Sequence, residues 1–166
     1  MNGVSLRTER KRIRWLAMDV DGTLTDGGIY LSENGEEFKA FNAKDGYGIR
    51  HLLPALGIEA MVITGRSSQI VCRRCAELGV QRVYQGVADK AAQLASVIPK
   101  GELAKVAYIG DDLNDLSAME AVHSAGGLVG CPSDAVADVR QIADCVLRAP
   151  GGRGAVREFI DWLMED

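Results

Sequence analysis

Several things are scarce in this sequence, and each shortage narrows what the chain can be. No stretch of its 166 residues approaches the run of ~20 apolar residues that crosses a bilayer, so no membrane partner is expected. The opening segment, MNGVSLRTERKRIRW, is polar and basic and lacks the apolar stretch of a secretory signal. Without export the expected compartment is the reducing cytoplasm, where Cys72, Cys75, Cys131 and Cys145 are free thiols. Cys72 and Cys75 form a C-x-x-C with no second pair behind it, and His51 and His123 are the only histidines. A four-ligand zinc site therefore lacks donors, and the pair reads as ordinary helix cysteines. Positive charge is also short: the net charge is −4, and no Lys/Arg-rich block follows the N-terminal arm, residues 1–12. A nucleic-acid partner is not expected from that balance. Internal repeats, low-complexity tracts and a second-domain linker are absent.

What is present is ordinary for a globular protein: 47% apolar and 25% charged residues. Against a prior of roughly 150 residues per domain, the chain makes one domain. It is long enough to bury roughly 70% of its unfolded surface without a disulfide or zinc staple. Its 19 glycines predict many tight turns or close backbone approaches.

Apolar runs alternate with helical patterns. Ile13–Val20, Glu59–Thr64, Arg82–Tyr84, Lys105–Ile109, Gly127–Val129 and Asp144–Leu147 read as strands. Tyr47–Leu56, Ser68–Leu78, Ala88–Ile98, Leu116–Val122, Ser133–Ile142 and Ala155–Met164 read as helices. That alternation predicts an α/β fold, a mostly parallel sheet with helices on both faces. One insertion interrupts it after the first strand. Ile29–Leu31 and Glu37–Phe41 flank Ser-Glu-Asn-Gly, and Asn34-Gly35 signals a hairpin turn.

Ligands of such sheets bind beyond the carboxyl ends of the strands, and polar residues gather there. The first strand ends at Asp19-Val20-Asp21-Gly22-Thr23. Residues two apart in an extended chain face the same side, and two such carboxylates repel unless a cation or a shared proton intervenes. A solvated Asp-Gly turn is the bland alternative. The strand Lys105–Ile109 ends at Gly110-Asp111-Asp112-Leu113-Asn114-Asp115. Acidic oxygens from two strand ends suit a hard cation of the Mg2+ type, and Asp111 or Asp112 also suits a helix N-cap. Thr64-Gly65-Arg66 closes a third strand with a hydroxyl and free backbone N–H groups, an anion site. Lys90 begins a helix, as a solvated lysine or a phosphate contact.

The ordered set D-x-D-G-T, Thr-Gly, Lys and G-D-D-x-x-D resembles the haloacid dehalogenase superfamily of phosphatases. The resemblance implies that Asp19 is the nucleophile and forms an aspartyl-phosphate, and that Asp21 is the general acid/base. It implies that Thr64, Gly65 and Lys90 hold the phosphoryl group, and that Asp19, the Asp21 carbonyl and Asp111 bind Mg2+. The chemistry is sound on its own terms. A carboxylate is a competent nucleophile, a nearby carboxyl can move the leaving-group proton, and cations offset the charge on the transferring group.

The 42 residues between Asp21 and Thr64 hold one hairpin and one helix, and the stretch from Lys90 to Asp111 holds one helix and one strand. Neither has room for a cap domain, so a neighbouring subunit, joined through the hairpin at residues 27–41, is the expected source of the missing surface.

The stretches GEEFKAFNAKDGYGIR, ITGRSSQIVCRRCAELG, YQG, GDDLND and GGRGAVRE are similar to the family of 3-deoxy-D-manno-octulosonate 8-phosphate (KDO 8-phosphate) phosphatases. That similarity implies a Mg2+-dependent phosphatase of lipopolysaccharide precursor biosynthesis. It implies a homotetramer packed on its hairpins, with the tail that opens residues 149–166, Gly151-Gly152-Arg153-Gly154, reaching a neighbouring active site. Implied substrate contacts are Asn42, Ala43, Lys44, Asp45, Gly46, Arg50, Arg66 and Arg74, with Arg153 from the tail; Asn114 either touches substrate or caps its helix. Arginine suits the carboxylate of a sugar acid because it pairs with it bidentately. Arg66 and Arg74, eight apart on the helix after Thr64-Gly65, are expected on one helix face. Ser67 stands where this family commonly has Lys. The rival is the sialic acid and ketodeoxynononate 9-phosphate phosphatase group, which usually carries Glu where Arg66 stands. A different class, the inactive oligomerisation modules of nucleotide-sugar enzymes, is disfavoured because Asp19, Asp21, Thr64, Lys90 and Asp111 are all present.

Overall fold

The computed structural model describes residue 8 and residues 10–165, so most of the expected N-terminal arm lies outside the described residues. In chain order the elements are β1 (Trp15–Met18), β2 (Tyr30–Ser32), β3 (Gly35–Phe38) and α1 (Ala43–Tyr47). A π-helical turn, Gly48–Leu52, then leads into α2 (Leu53–Ala55). There follow β4 (Glu59–Ile63), α3 (Gln69–Leu78), β5 (Arg82–Tyr84), α4 (Lys90–Val97), β6 (Val106–Ile109) and α5 (Leu113–Ser124). The chain finishes with β7 (Leu128–Cys131), α6 (Ala137–Ile142), β8 (Cys145–Val146) and α7 (Ala155–Met164).

Six strands form one parallel sheet in the order β5-β4-β1-β6-β7-β8. Parallel strands covered on both faces need no polar face, hence the unbroken apolar run of β1 and β6. Successive residues of β1 enter different cores. Leu16 and Met18 pack with Ile49, Leu53, Val71, Phe159 and Ile160, the side covered by the π turn, α2, α3 and α7. Ala17 packs with Leu94, Ala118, Met119 and Val139, the side covered by α4, α5 and α6. Asp19, the next odd position, therefore emerges on the α4–α5 side of the central strand. The expected α/β sheet is borne out, and no cap domain interrupts it among the described residues.

Element ends differ where side chains choose the start. The helix expected from Tyr47 begins at Ala43, because the Asn42 side chain accepts from Lys44 N–H at 2.8 Å and caps it. The helix expected from Ser133 begins only at Ala137. Asp134 there accepts from Gly151 N–H at 2.9 Å instead of capping, and Val136 N–H donates to the Asp111 carbonyl. The hairpin turn falls on Glu33-Asn34, one residue earlier than expected, with Ser32 paired to Gly35. The Ser32 hydroxyl accepts from Asn34 N–H and fixes that turn. The hairpin stands off the sheet, with Tyr30 stacked on Phe38 at 4.3 Å and Ile29, Leu31 and Phe38 exposed. Phe41 does not join this exposed apolar surface, because it packs against the main core.

Candidate active site

Asp19 follows β1 directly and its N–H donates to the Ile109 carbonyl of β6, so the two central strand ends are locked together at the site. Its carboxylate is buried and accepts from Lys90 Nζ at 2.7 Å. The same ammonium donates to Asp115 Oδ1 at 2.7 Å. Lys90 opens α4 and is buried, so it is the first-turn lysine aimed inward and not a solvated one. Tyr108, one residue before the end of β6, donates its hydroxyl to Asp115 Oδ1 at 2.9 Å.

Asp112 and Asp115 share a capping box at the start of α5. Asp115 Oδ2 accepts from the N–H groups of Asp111 and Asp112. Capping thus falls to Asp112 and Asp115 and leaves Asp111 for the site. Thr23 Oγ1 donates to Asp111 Oδ1 at 2.8 Å, tying the loop after β1 to the loop after β6. Gly22 sits between them at φ +98°, and a β-carbon there would collide with the Asp111 carboxylate.

Burial dominates the electrostatics. It pushes the Asp19 carboxyl up to about 6, helped by the Asp115 charge and opposed by Lys90. Burial pushes Asp111 up to about 7 against the Thr23 hydrogen bond, with Asp19, Asp115 and Asp112 adding to the rise. For Lys90, burial alone would lower the ammonium, but Asp19 and Asp115 outweigh it and hold the group above its ordinary value. Burial and the Asp115 charge drive the Tyr108 hydroxyl well above the usual range.

Thr64 is buried just past β4, with its N–H on the Tyr84 carbonyl and its own carbonyl accepting from Val87 N–H. Gly65 lies beside it, and the Asn114 amide stands 3.9 Å from where a Gly65 β-carbon would be. Asn114 therefore points across to the Thr64-Gly65 turn. Arg66 and Arg74 do not share a helix face: α3 starts at Gln69 with Ser68 as its cap, so Arg66 belongs to the loop. The hydroxyl of Ser68 accepts from Ile70 N–H, and its N–H donates to Gln85 Oε1 at 2.7 Å, which ends the turn before any helix can form.

The structure brings Asp19, Asp21, Thr64, Gly65, Lys90, Asp111 and Asn114 to the carboxyl ends of β1, β4 and β6. Most of the other expected contacts gather around α1 and α3. Asn42 caps α1, and Ala43 and Lys44 form its exposed first turn. Asp45 is held by α7. It is 2% exposed, and its Oδ1 accepts from Arg157 N–H at 2.8 Å, at the start of α7. Gly46 lies against the Arg74 guanidinium. Arg74 pairs with Glu77 at 3.1 Å, and Arg50 donates to the Glu77 carbonyl. Arg153 reaches Asp26 of its own chain at 3.6 Å. Gly152 N–H donates to the Thr23 carbonyl at 3.0 Å, so the tail lies along this chain's own loop after β1.

Two residues that sequence reasoning missed belong to this group. Asp115 carries Lys90, Tyr108 and the α5 cap, and the final Asp of G-D-D-x-x-D was its signal. Lys39, directly after β3, has a buried ammonium 2.5 Å from Asp21 Oδ1. Nothing local marks it, because the hairpin separates the two residues.

No family model matches the chain. Among curated proteins, the KDO 8-phosphate phosphatase KdsC of Escherichia coli K12 is 48% identical over 160 residues, covering 93% of this chain and 80% of that protein. The chain belongs to the KDO 8-phosphate phosphatase family. Its relative from Salmonella typhi is 47% identical over 163 residues, covering 95% of this chain and 82% of that protein. A crystal structure of the phosphatase from Moraxella catarrhalis, with magnesium, phosphate and KDO, has a TM-score of 0.89 at 38% identity, covering 98% of this chain and 92% of that one. The cobalt-bound phosphatase of Haemophilus influenzae has a TM-score of 0.86 at 35% identity, covering 94% and 90%.

The metal of this family fits the residues present. Asp19, Asp111 and Asp115 each offer a carboxylate oxygen, all within 4.8 Å of one another. The Lys90 ammonium contacts Asp19 and Asp115, and a divalent cation among the three carboxylates would offset the mutual repulsion that adds to the effect of burial on Asp19 and Asp111. The donors are hard oxygens, as Mg2+ requires. Both oxygens of Asp115 already accept hydrogen bonds, which leaves Asp19 and Asp111 as the ligands.

Proposed function

We propose that the chain is a Mg2+-dependent phosphomonoesterase that hydrolyses KDO 8-phosphate to KDO and phosphate in the cytoplasm. The observation that carries this is the buried Lys90–Asp19 contact at a central strand end, with Asp111 opposite and Thr64 beside it. No helix among the described residues is long and apolar enough to cross a membrane, in keeping with a small-molecule substrate.

In the first step an Asp19 oxygen attacks phosphorus and the bond from phosphorus to the sugar oxygen breaks. Asp21 donates its proton to that leaving oxygen. In the second step water attacks the aspartyl-phosphate, passes a proton to Asp21 and frees Asp19. Lys90, the Thr64 hydroxyl and the N–H groups near Gly65 hold the phosphoryl oxygens. Mg2+ would be held by Asp19, Asp111 and the Asp21 carbonyl and would supply charge neutralisation.

Arg66, Asn114 and, from α1 and its cap, Asn42, Ala43, Lys44 and Gly46, with Arg50 and Arg74, are the proposed sugar-acid surface. A tetramer joined through the exposed Ile29, Leu31 and Phe38 would complete it, with Arg153 offered to a neighbouring site. Phosphate release from a panel of sugar-acid phosphates, with and without Mg2+, tests the proposal. KDO 8-phosphate should be preferred over 9-phosphate nonulosonates, and Asp19→Asn should abolish turnover in a folded protein. Preference for a 9-phosphate substrate, or Mg2+-dependent turnover by Asp19→Asn, would overturn it.

A further inference from the structure

The hairpin delivers one residue into the site. Lys39 is the first residue after β3, and its side chain is 1% exposed with Nζ at 2.5 Å from Asp21 Oδ1. Lysine is almost never buried to this degree unless paired. Two apolar side chains would fill the same space without the cost of desolvating a charge. Stability therefore does not account for the pair. Asp21 itself stands on a turn that leaves its side chain 17% exposed, where a carboxylate without a fixed partner would rotate. With Oδ1 held by Lys39, Oδ2 is the oxygen that this contact leaves for proton transfer.

We propose that Lys39 is a positioning residue for the reaction: by holding Asp21 Oδ1 it fixes Oδ2 as the oxygen that passes a proton to the leaving sugar oxygen and later accepts one from water. This rests on Asp21 being the general acid/base. Lys39 keeps its own protons throughout; one proton leaves Asp21 as the phosphorus–oxygen bond breaks, and one returns from the attacking water.

The consequence is a dependence on the leaving group. A sugar alkoxide needs that proton, whereas 2,4-dinitrophenolate leaves without it. Single-turnover rates with excess Mg2+ are measured for wild type, Lys39→Met, Lys39→Arg, Asp21→Asn and the double variant Asp21→Asn/Lys39→Met. The substrates are KDO 8-phosphate and 2,4-dinitrophenyl phosphate, and each rate is normalised to intact sites by the amplitude of the dinitrophenolate burst. Lys39→Met should slow the sugar phosphate roughly 10- to 100-fold, part of the 10²–10⁴-fold that a general acid supplies. Its burst rate on the aryl phosphate and its KM should stay near wild type, and Lys39→Arg should recover part of the loss. The double variant should be no slower than Asp21→Asn alone.

Equal loss on both substrates, or a loss carried by KM, would place Lys39 on the phosphate or the sugar acid and overturn the proposal. So would an unaffected Lys39→Met beside a leaving-group-dependent Asp21→Asn, which leaves the Asp21 assignment standing. If Asp21→Asn itself keeps full activity on the sugar phosphate, the assignment beneath the proposal fails instead.

Discussion

Asp115 is the keystone of the buried network, and its removal has a cost that follows from its partners. Its Oδ1 accepts from Lys90 at 2.7 Å and Tyr108 at 2.9 Å, and its Oδ2 accepts from two amides at the start of α5. Asp115→Ala leaves the buried Tyr108 hydroxyl without that acceptor, which costs about 1–3 kcal/mol. Loss of the cap adds about 1 kcal/mol. Breaking a buried charge pair costs about 3–5 kcal/mol in total when one partner is removed, and Asp19 remains to hold Lys90. Because Lys90 keeps a partner, that full penalty does not apply, and the hydrogen-bond and cap terms set the expected loss at about 2–4 kcal/mol, or about 4–16 °C in Tm for a chain of this size. Asp115→Asn is the sharper test. Asn presents one acceptor and one donor, and Asp115 faces donors on both oxygens, so the amide satisfies one side only. Urea unfolding without metal should place Asn between wild type and Ala. An Asn variant as stable as wild type would show that the hydrogen bonds to Asp115 do not carry the network.

Asp111→Ala should weaken Mg2+ affinity strongly in titration calorimetry, whereas Asp112→Ala should mainly cost α5 its cap; equal affinity for wild type and Asp111→Ala would refute the ligand assignment. Burial raises the Asp45 carboxyl from 3.8 to about 6, so the folded state binds its proton more tightly than the unfolded one, and this group's contribution to stability falls as pH rises from about 4 to 6. Asp45→Asn should therefore match wild type near pH 4 and exceed it by up to about 3 kcal/mol at pH 7.5, read from denaturation midpoints; a constant difference across that window would refute the cause. Leu31→Lys with Phe38→Lys should turn a tetramer into smaller species by light scattering, and an unchanged mass would remove the hairpin from the interface.

The sheet was legible because its central strands are short, largely apolar runs ended by turn residues, and Asp19, Asp21, Thr64, Lys90 and Asp111 stand at strand ends or a helix start. What escaped was set by distance along the chain. Lys39 meets Asp21 only because the hairpin folds back on itself. Asp45 looks like a substrate contact in its motif, yet it is buried against α7, which lies more than a hundred residues later. Arg66 and Arg74 were placed on one helix by counting eight residues, and the Ser68 cap cancels that count.

The order of the sheet also governs how this protein leaves the ribosome. β1 is made early, but it lies in the middle, between β4 and β6. It ends at Met18 and β6 ends at Ile109, so about 90 residues must be added before its second edge is covered, about 5–18 s at ordinary synthesis rates. For that interval a four-residue apolar strand waits with an open edge, the kind of transient species that chaperones exist to shield.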